Sequence, residues 1–145
     1  MSAAGAPYPE RLFYDLDNQI WYEPLADGTI RAGFTPVAMA LAGDVLVFTP
    51  KRIGRDFEAG RWFATIECGK WVGSARAAFD GVVVAHNEDL VRRPGLLNTD
   101  ALGAGWMLIV SAAAAGWQAG LVTGPAVAPA FDAWRASDAY RDRSE

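Results

Sequence analysis

The sequence predicts a mainly β body followed by a helical tail, and three observations carry that reading. Short segments rich in β-branched and aromatic residues, separated by Gly, Pro, Asp and Asn, run up to about Val110. Asp27-Gly28, a pair that tolerates positive φ, stands between two of these segments and marks a hairpin. Beyond Val110 the composition turns Ala-rich, and the stretch from Val127 to Arg143 sets Val127, Phe131, Trp134, Ala139 and Tyr140 near one helical face.

Taken in chain order, Ile20 to Glu23 and Thr29 to Phe34 are the two arms of that hairpin. Thr35-Pro36 then has the form of a helix N-cap with proline at the first helical position, so Val37 to Leu41 form a short helix stopped at Gly43. Val45 to Phe48, Trp62 to Glu67, Trp71 to Ala75 and Gly81 to Ala85 are predicted strands. Trp106 to Val110 is a continuous apolar run of strand length, suited to burial on both sides, although its period alone also admits a helix. Gly43-Asp44-Val45-Leu46-Val47 is echoed by Asp80-Gly81-Val82-Val83-Val84, as a body of two related halves would produce and as Val-rich strands also produce by chance.

A chain of 145 residues with 52% hydrophobic residues suits one domain with a single core. Residues 1–12 read as a flexible leader, and residues 13–145 as one domain whose helical tail begins at about residue 111. The net charge of −4 and the scatter of arginines offer no basic stripe for a nucleic-acid backbone. Cys68 and His86 are single in the chain, so no internal disulfide can form and the usual zinc clusters cannot be built. No metal site is expected, no nucleophile and base pair is evident, and a cytoplasmic location fits. The longest apolar run, Trp106 to Trp117, is too short to cross a bilayer.

Lysine occurs only at positions 51 and 70, both at predicted turns. Lys70 lies in Glu67-Cys68-Gly69-Lys70-Trp71-Val72, where Gly69 permits a tight reversal between two strands. A primary amine on a rigid turn is what an acylating enzyme needs, since the acyl group must reach an accessible nucleophile fixed in position. The hairpin by itself favours an ordinary solvated turn lysine.

The wider pattern resolves this. Arg31-Ala32-Gly33-Phe34-Thr35-Pro36, Leu41-Ala42-Gly43-Asp44-Val45, Pro50 with Gly54, Glu67-x-x-Lys70, Gly81, Asn87-Glu88-Asp89-Leu90, Pro94-Gly95-Leu96-Leu97-Asn98 and Gly105-Trp106-Met107 resemble, in order and spacing, the H protein of the glycine cleavage system. The likeness covers about Tyr14 to Val110. It implies a flattened barrel or sandwich of two antiparallel sheets, a barrel-sandwich hybrid of lipoyl-domain type with short helices. It also implies lipoate bound covalently to Lys70, with Glu67, Gly69 and Gly81 serving as recognition or turn residues. The chain would then be a carrier, acted on by a lipoate-protein ligase or lipoyl synthase, with no catalytic residues of its own. A biotinyl domain is similar in shape but carries Met-Lys-Met, whereas Lys70 is flanked by Gly69 and Trp71.

H proteins of glycine cleavage hold the aminomethyl group near two acidic side chains, one in a His-Glu-Trp motif and one four residues after the lipoyl lysine. Here the corresponding stretches read Asn18-Gln19-Ile20-Trp21 and, four residues beyond Lys70, Ser74. A cationic amine would lose charge-assisted hydrogen bonds of about 1.5–3 kcal/mol each. Glu67-Cys68-Gly69-Lys70-Trp71-Val72-Gly73 and Phe48-Thr49-Pro50-Lys51-Arg52-Ile53-Gly54 are similar to H-like lipoate-binding proteins of sulfur oxidation. That likeness implies a sulfur cargo, with a heterodisulfide-reductase-like complex and sulfurtransferases as partners. The alternative is aminomethyl carriage among glycine decarboxylase, aminomethyltransferase and dihydrolipoamide dehydrogenase. A third reading is an unmodified scaffold.

Two residues beside Lys70 are candidate accessories. Alternation can place the Cys68 thiol on the side of the arm, where it would exchange with a disulfide, although a small serine-like residue fits the position as well. Trp71 would lay a flat aromatic against the arm, against the default of core packing. His86 reads as a strand-end residue bonding backbone or water. Arg52, Arg55, Arg61, Arg76, Arg92 and Arg93 read as a solvated rim or, alternatively, a docking face.

Overall fold

The computed structural model describes residues 8–69 and 71–137. Among the described residues, nine strands form two antiparallel sheets, as the resemblance implied. Strands β1 (Phe13–Asp15), β2 (Ile20–Pro24), β3 (Ile30–Phe34), β9 (Leu108–Ala112), β8 (Gly81–His86) and β5 (Asp56–Phe57) are neighbours in that order in a six-stranded sheet. Strands β4 (Val45–Pro50), β6 (Trp62–Cys68) and β7 (Val72–Arg76) make a three-stranded sheet with β6 in the middle. The two echoing sequence stretches open β4 and β8, one in each sheet.

The inner faces meet in one core. Ile20 and Tyr22 of β2, Ala32 of β3, Phe63 and Ile66 of β6, Val83 of β8 and Leu108 and Val110 of β9 belong to it. Its aromatics touch edge to face or tilted, Phe57 with Phe63 at 5.2 Å and Tyr22 with Phe79 at 5.1 Å between centroids. The buried Tyr22 hydroxyl accepts from Ala78 N at 3.0 Å, and burial pushes its ionisation far above the usual tyrosine range.

The outer face of the six-stranded sheet is also covered. Trp21 points away from Ile20 and Tyr22 by strand alternation and enters a second cluster with Leu12, Tyr14, Val37, Val127, Phe131 and Trp134. The last three lie on α4 (Val127–Arg135), the amphipathic helix expected from the tail. Ala139 and Tyr140, assigned to the same face, lie outside the described residues. The Ala-rich composition predicts a helical tail from about residue 111, whereas among the described residues its α-helix begins at Val127. The strand β9 continues to Ala112, turns follow, and one 3-10 turn at Gly124–Ala126 leads into α4. Alanine content favours helix only weakly when Gly116, Gly120 and Gly124 interrupt it, the last two with left-handed backbones.

Residues 8–12 fell within the expected leader, yet Leu12 is buried and Tyr8 stacks on Phe131 at 4.0 Å. Thr123 Oγ1 donates to the Leu12 carbonyl at 2.8 Å, tying the segment to the tail.

Three short helices join the strands. α1 (Pro36–Ala42) starts and stops where the sequence reading put it. Thr35 caps it by accepting from Ala38 N at 3.1 Å, and Gly43 ends it with a left-handed φ of 79°. α2 (Glu88–Arg92) is capped by the Asn87 side chain, whose amide also donates to the Ala104 and Trp106 carbonyls at 2.8 Å each. α3 (Leu96–Thr99) carries Asn98, which accepts from Val45 N at 2.9 Å and donates to the Gly43 carbonyl at 2.8 Å. That one side chain locks the end of α1 to the start of β4. β1, β5, α2 and α3 were not anticipated, because segments of two to five residues are too short to show a period.

Candidate functional site

β6 and β7 form the hairpin predicted around position 70. Cys68 N donates to the Trp71 carbonyl at 2.9 Å, so the chain reverses within two residues. Gly69 is the first of them. Lys70 is the second and lies outside the described residues. Gly69 does not adopt a left-handed backbone, and a Cβ there would meet nothing within 4 Å. Neither backbone strain nor crowding therefore demands glycine, and the peptide beside Lys70 is bare and open.

Glu67 is exposed and stands in register between Val47 of β4 and Val72 of β7. Gly81 is elsewhere, in the other sheet opposite Phe57 and Ala112. A Cβ on it would sit 2.4 Å from the Ser111 carbonyl oxygen and 2.7 Å from the Phe57 ring, so packing explains this glycine. Cys68 faces the core opposite Val45 and is 7% exposed. Burial raises its thiol pKa, and the side chain is turned away from the open turn. His86 pairs through Nε2 with Glu88. The weighed arginines are exposed, and Lys51 holds its Nζ 4.5 Å from the Trp62 ring centroid.

Beside the hairpin opens a cleft of about 390 Å3. Its walls are Asn18 and Gln19 of the β1–β2 turn, Ala38, Met39, Leu41 and Ala42 of α1, and Trp71, Gly73, Ser74 and Arg76, with Phe34 and Ile66 completing the lining. Asn18, Gln19 and Ser74, the two places where the sequence departs from the family pattern, thus converge on one surface although they are far apart in the chain. No carboxylate is among the described lining residues. The nearby Asp15 carboxylate is engaged locally, accepting from Asn18 Nδ2 at 2.8 Å.

The Gln19 corner is rigid. Gln19 has a φ of 56°, uncommon for a side-chain-bearing residue, and is 1% exposed. Its Oε1 accepts from Thr35 Oγ1 at 2.5 Å and its Nε2 donates to the Leu16 carbonyl at 2.9 Å. Thr35→Ala removes the cap of α1 and orphans a buried acceptor, for an expected loss of about 2–3 kcal/mol in a urea titration. Thr35→Ser, which keeps the hydroxyl, should lose less than about 1 kcal/mol; equal losses would contradict the role given to this bond.

Arg76, read from the sequence only as part of the rim, lines the cleft while Nη1 donates to the Gly60 carbonyl at 3.1 Å. Gly73 was not singled out at all. Its signal was an isolated glycine inside a strand, which marks a close approach.

Residues 12–130 match the glycine cleavage H-protein family. The chain belongs to the glycine cleavage H-protein family. Among its relatives, glycine cleavage system H protein 2 of Aquifex aeolicus is 38% identical over 103 residues, covering 71% of this chain and 64% of that protein. Glycine cleavage system H protein 5 of the same organism is 42% identical over 113 residues, covering 75% of this chain and 76% of that protein. The crystal structure of a glycine cleavage system H protein from Mycobacterium marinum superposes with a TM-score of 0.73 at 30% identity, covering 86% of this chain and 98% of the other. The H-protein architecture therefore accounts for both sheets and for the hairpin.

Proposed function

We propose that this H-protein family member is a covalent lipoyl carrier with Lys70 as the attachment residue. The observation that carries the reading is the two-residue turn: a family match over residues 12–130 places it within an H-type fold, and Lys70 is the only lysine in that turn. The open peptide at Gly69 and the exposed Glu67 beside it leave a modifying enzyme room and a charged contact. The cleft suits such a group, being lined largely by aliphatic and aromatic side chains within reach of the turn's own strand. Attached there, lipoate supplies a disulfide ring that opens to a dithiol and takes cargo on sulfur. The chain's residues supply position and shelter and do no bond chemistry. Incubation with a lipoate-protein ligase, ATP and lipoate should add one lipoyl group by intact mass. A chain that stays bare with every lipoate-attaching enzyme tried would leave only the fold.

The names of the relatives favour aminomethyl cargo, passed among glycine decarboxylase, aminomethyltransferase and dihydrolipoamide dehydrogenase. One observation favours a second reading, a sulfur cargo delivered by sulfurtransferases to a heterodisulfide-reductase-like complex. The cleft offers Asn18, Ser74 and a cationic Arg76 but no carboxylate among its described residues, the Gln19 amide being buried and bonded to Thr35 and Leu16, which suits an uncharged or anionic group better than an ammonium. The lipoylated protein, given glycine and a glycine decarboxylase, should then accept aminomethyl groups at least about tenfold more slowly than an H protein whose cleft has both carboxylates, from the loss of a charged hydrogen bond. Equal rates would remove the sulfur reading.

A further inference from the structure

Two of the described tryptophans sit against glycines, and they differ in how far the rest of the ring is covered. Trp21 rests on Gly33, where a Cβ would lie 2.8 Å from the ring, and it is fully buried with its indole N–H donating to the Ala101 carbonyl at 3.0 Å. Trp71 rests on Gly73 more tightly still: a Cβ there would lie 2.0 Å from Cζ3 and 2.6 Å from Cη2. Yet Trp71 is 45% exposed, packs against no other aromatic ring among the described residues, and faces the cleft. Trp71, Gly73 and Ala75 alternate onto one face of the strand, and Ala75 is buried. The indole is therefore folded inward from the turn, its six-membered ring lying against the bare backbone of Gly73 while nearly half of the residue stays exposed.

A half-exposed ring on a glycine seat is a poor core plug, because much of its apolar surface stays in water. It is a good shelf. Its backbone is fixed by the Cys68 to Trp71 hydrogen bond, and polarizable sulfur packs favourably on aromatic rings.

We propose that Trp71, seated on Gly73, is the wall against which the dithiolane of the arm on Lys70 rests, shielding its disulfide from solvent while the carrier is free. This rests on Lys70 being the lipoyl residue, which intact mass verifies first on every variant; a missing mass gain would overturn that assignment, not the shelf. On fully lipoylated chains, the rate of disulfide reduction by a water-soluble phosphine is then measured. Trp71→Ala should react about three- to tenfold faster than the unchanged protein, the range expected from losing one sulfur–aromatic contact. Trp71→Phe, which keeps a flat ring, should stay within about twofold of the unchanged protein, less than one full contact is worth. Gly73→Ala, which displaces the ring without removing it, should resemble Trp71→Ala. Lipoylation should also quench fluorescence in the unchanged protein and not in Trp71→Phe. Equal reduction rates throughout, or a Phe variant as fast as the Ala variant, would overturn the proposal.

Discussion

Lys70→Arg should abolish lipoylation completely while Lys51→Arg leaves it intact. Acylation requires a neutral amine as nucleophile, and an arginine guanidinium, though equally cationic, stays protonated at any working pH and cannot be deprotonated to attack. The arginine variant thus keeps charge and much of the bulk at the turn and loses only the chemistry. Lys51 is the internal control, because it is the one other lysine and is occupied over Trp62. Intact mass after ligation reads the outcome, with unfolding midpoints of the two variants confirming that both are folded. A mass gain that survives in Lys70→Arg, or disappears in Lys51→Arg, would relocate the site.

The second large effect is on stability. Trp21→Ala should cost about 3–5 kcal/mol, the range for removing a buried aromatic, with a further penalty for the Ala101 carbonyl left without its donor. Against a usual total of about 5–15 kcal/mol that loss is severe. The structural reason is that Trp21 belongs to the layer joining α4, α1 and β1, so its loss loosens three elements together. Trp21→Phe should lose less, since the ring remains and only the indole N–H is missing. Urea titration with a fixed slope measures both, and a loss below about 1 kcal/mol for the alanine variant would mean that α4 contributes little to holding the sheet.

What the sequence disclosed follows from how each feature is encoded. α1 was legible to the residue because its signals are chemical and local: a threonine cap, a proline at the first helical position and a glycine stop. The long strands were legible from β-branched and aromatic runs, and the family blocks from order and spacing. β5 has two residues and β1 three, so neither contains a full alternation, and both are defined by their partners. Asn98 shows the same limit: its two bonds reach more than fifty positions back in the chain, which no local pattern reveals. At the site, Gly69 and Trp71 were named from neighbourhood to Lys70 and Glu67 from the family resemblance, and all three lie on or beside one closed hairpin. The convergence of Asn18 and Gln19 with Ser74 came only through the family resemblance, and the place of Arg76 beside them was invisible, because it depends on one sheet's edge facing the other sheet's first turn. Cys68 was the ambiguous case, since alternation sets its side only once the register with Val45 is known.

The contact of Tyr8 with Phe131 and Arg135 brings the two ends of the described chain side by side. Described residues far apart in the chain thus meet without any strand pairing depending on the backbone being joined elsewhere. A short linker across those neighbours, with new ends opened in the exposed run of residues 113–116, would preserve every strand pairing while placing α4 ahead of all nine described strands in the order of synthesis.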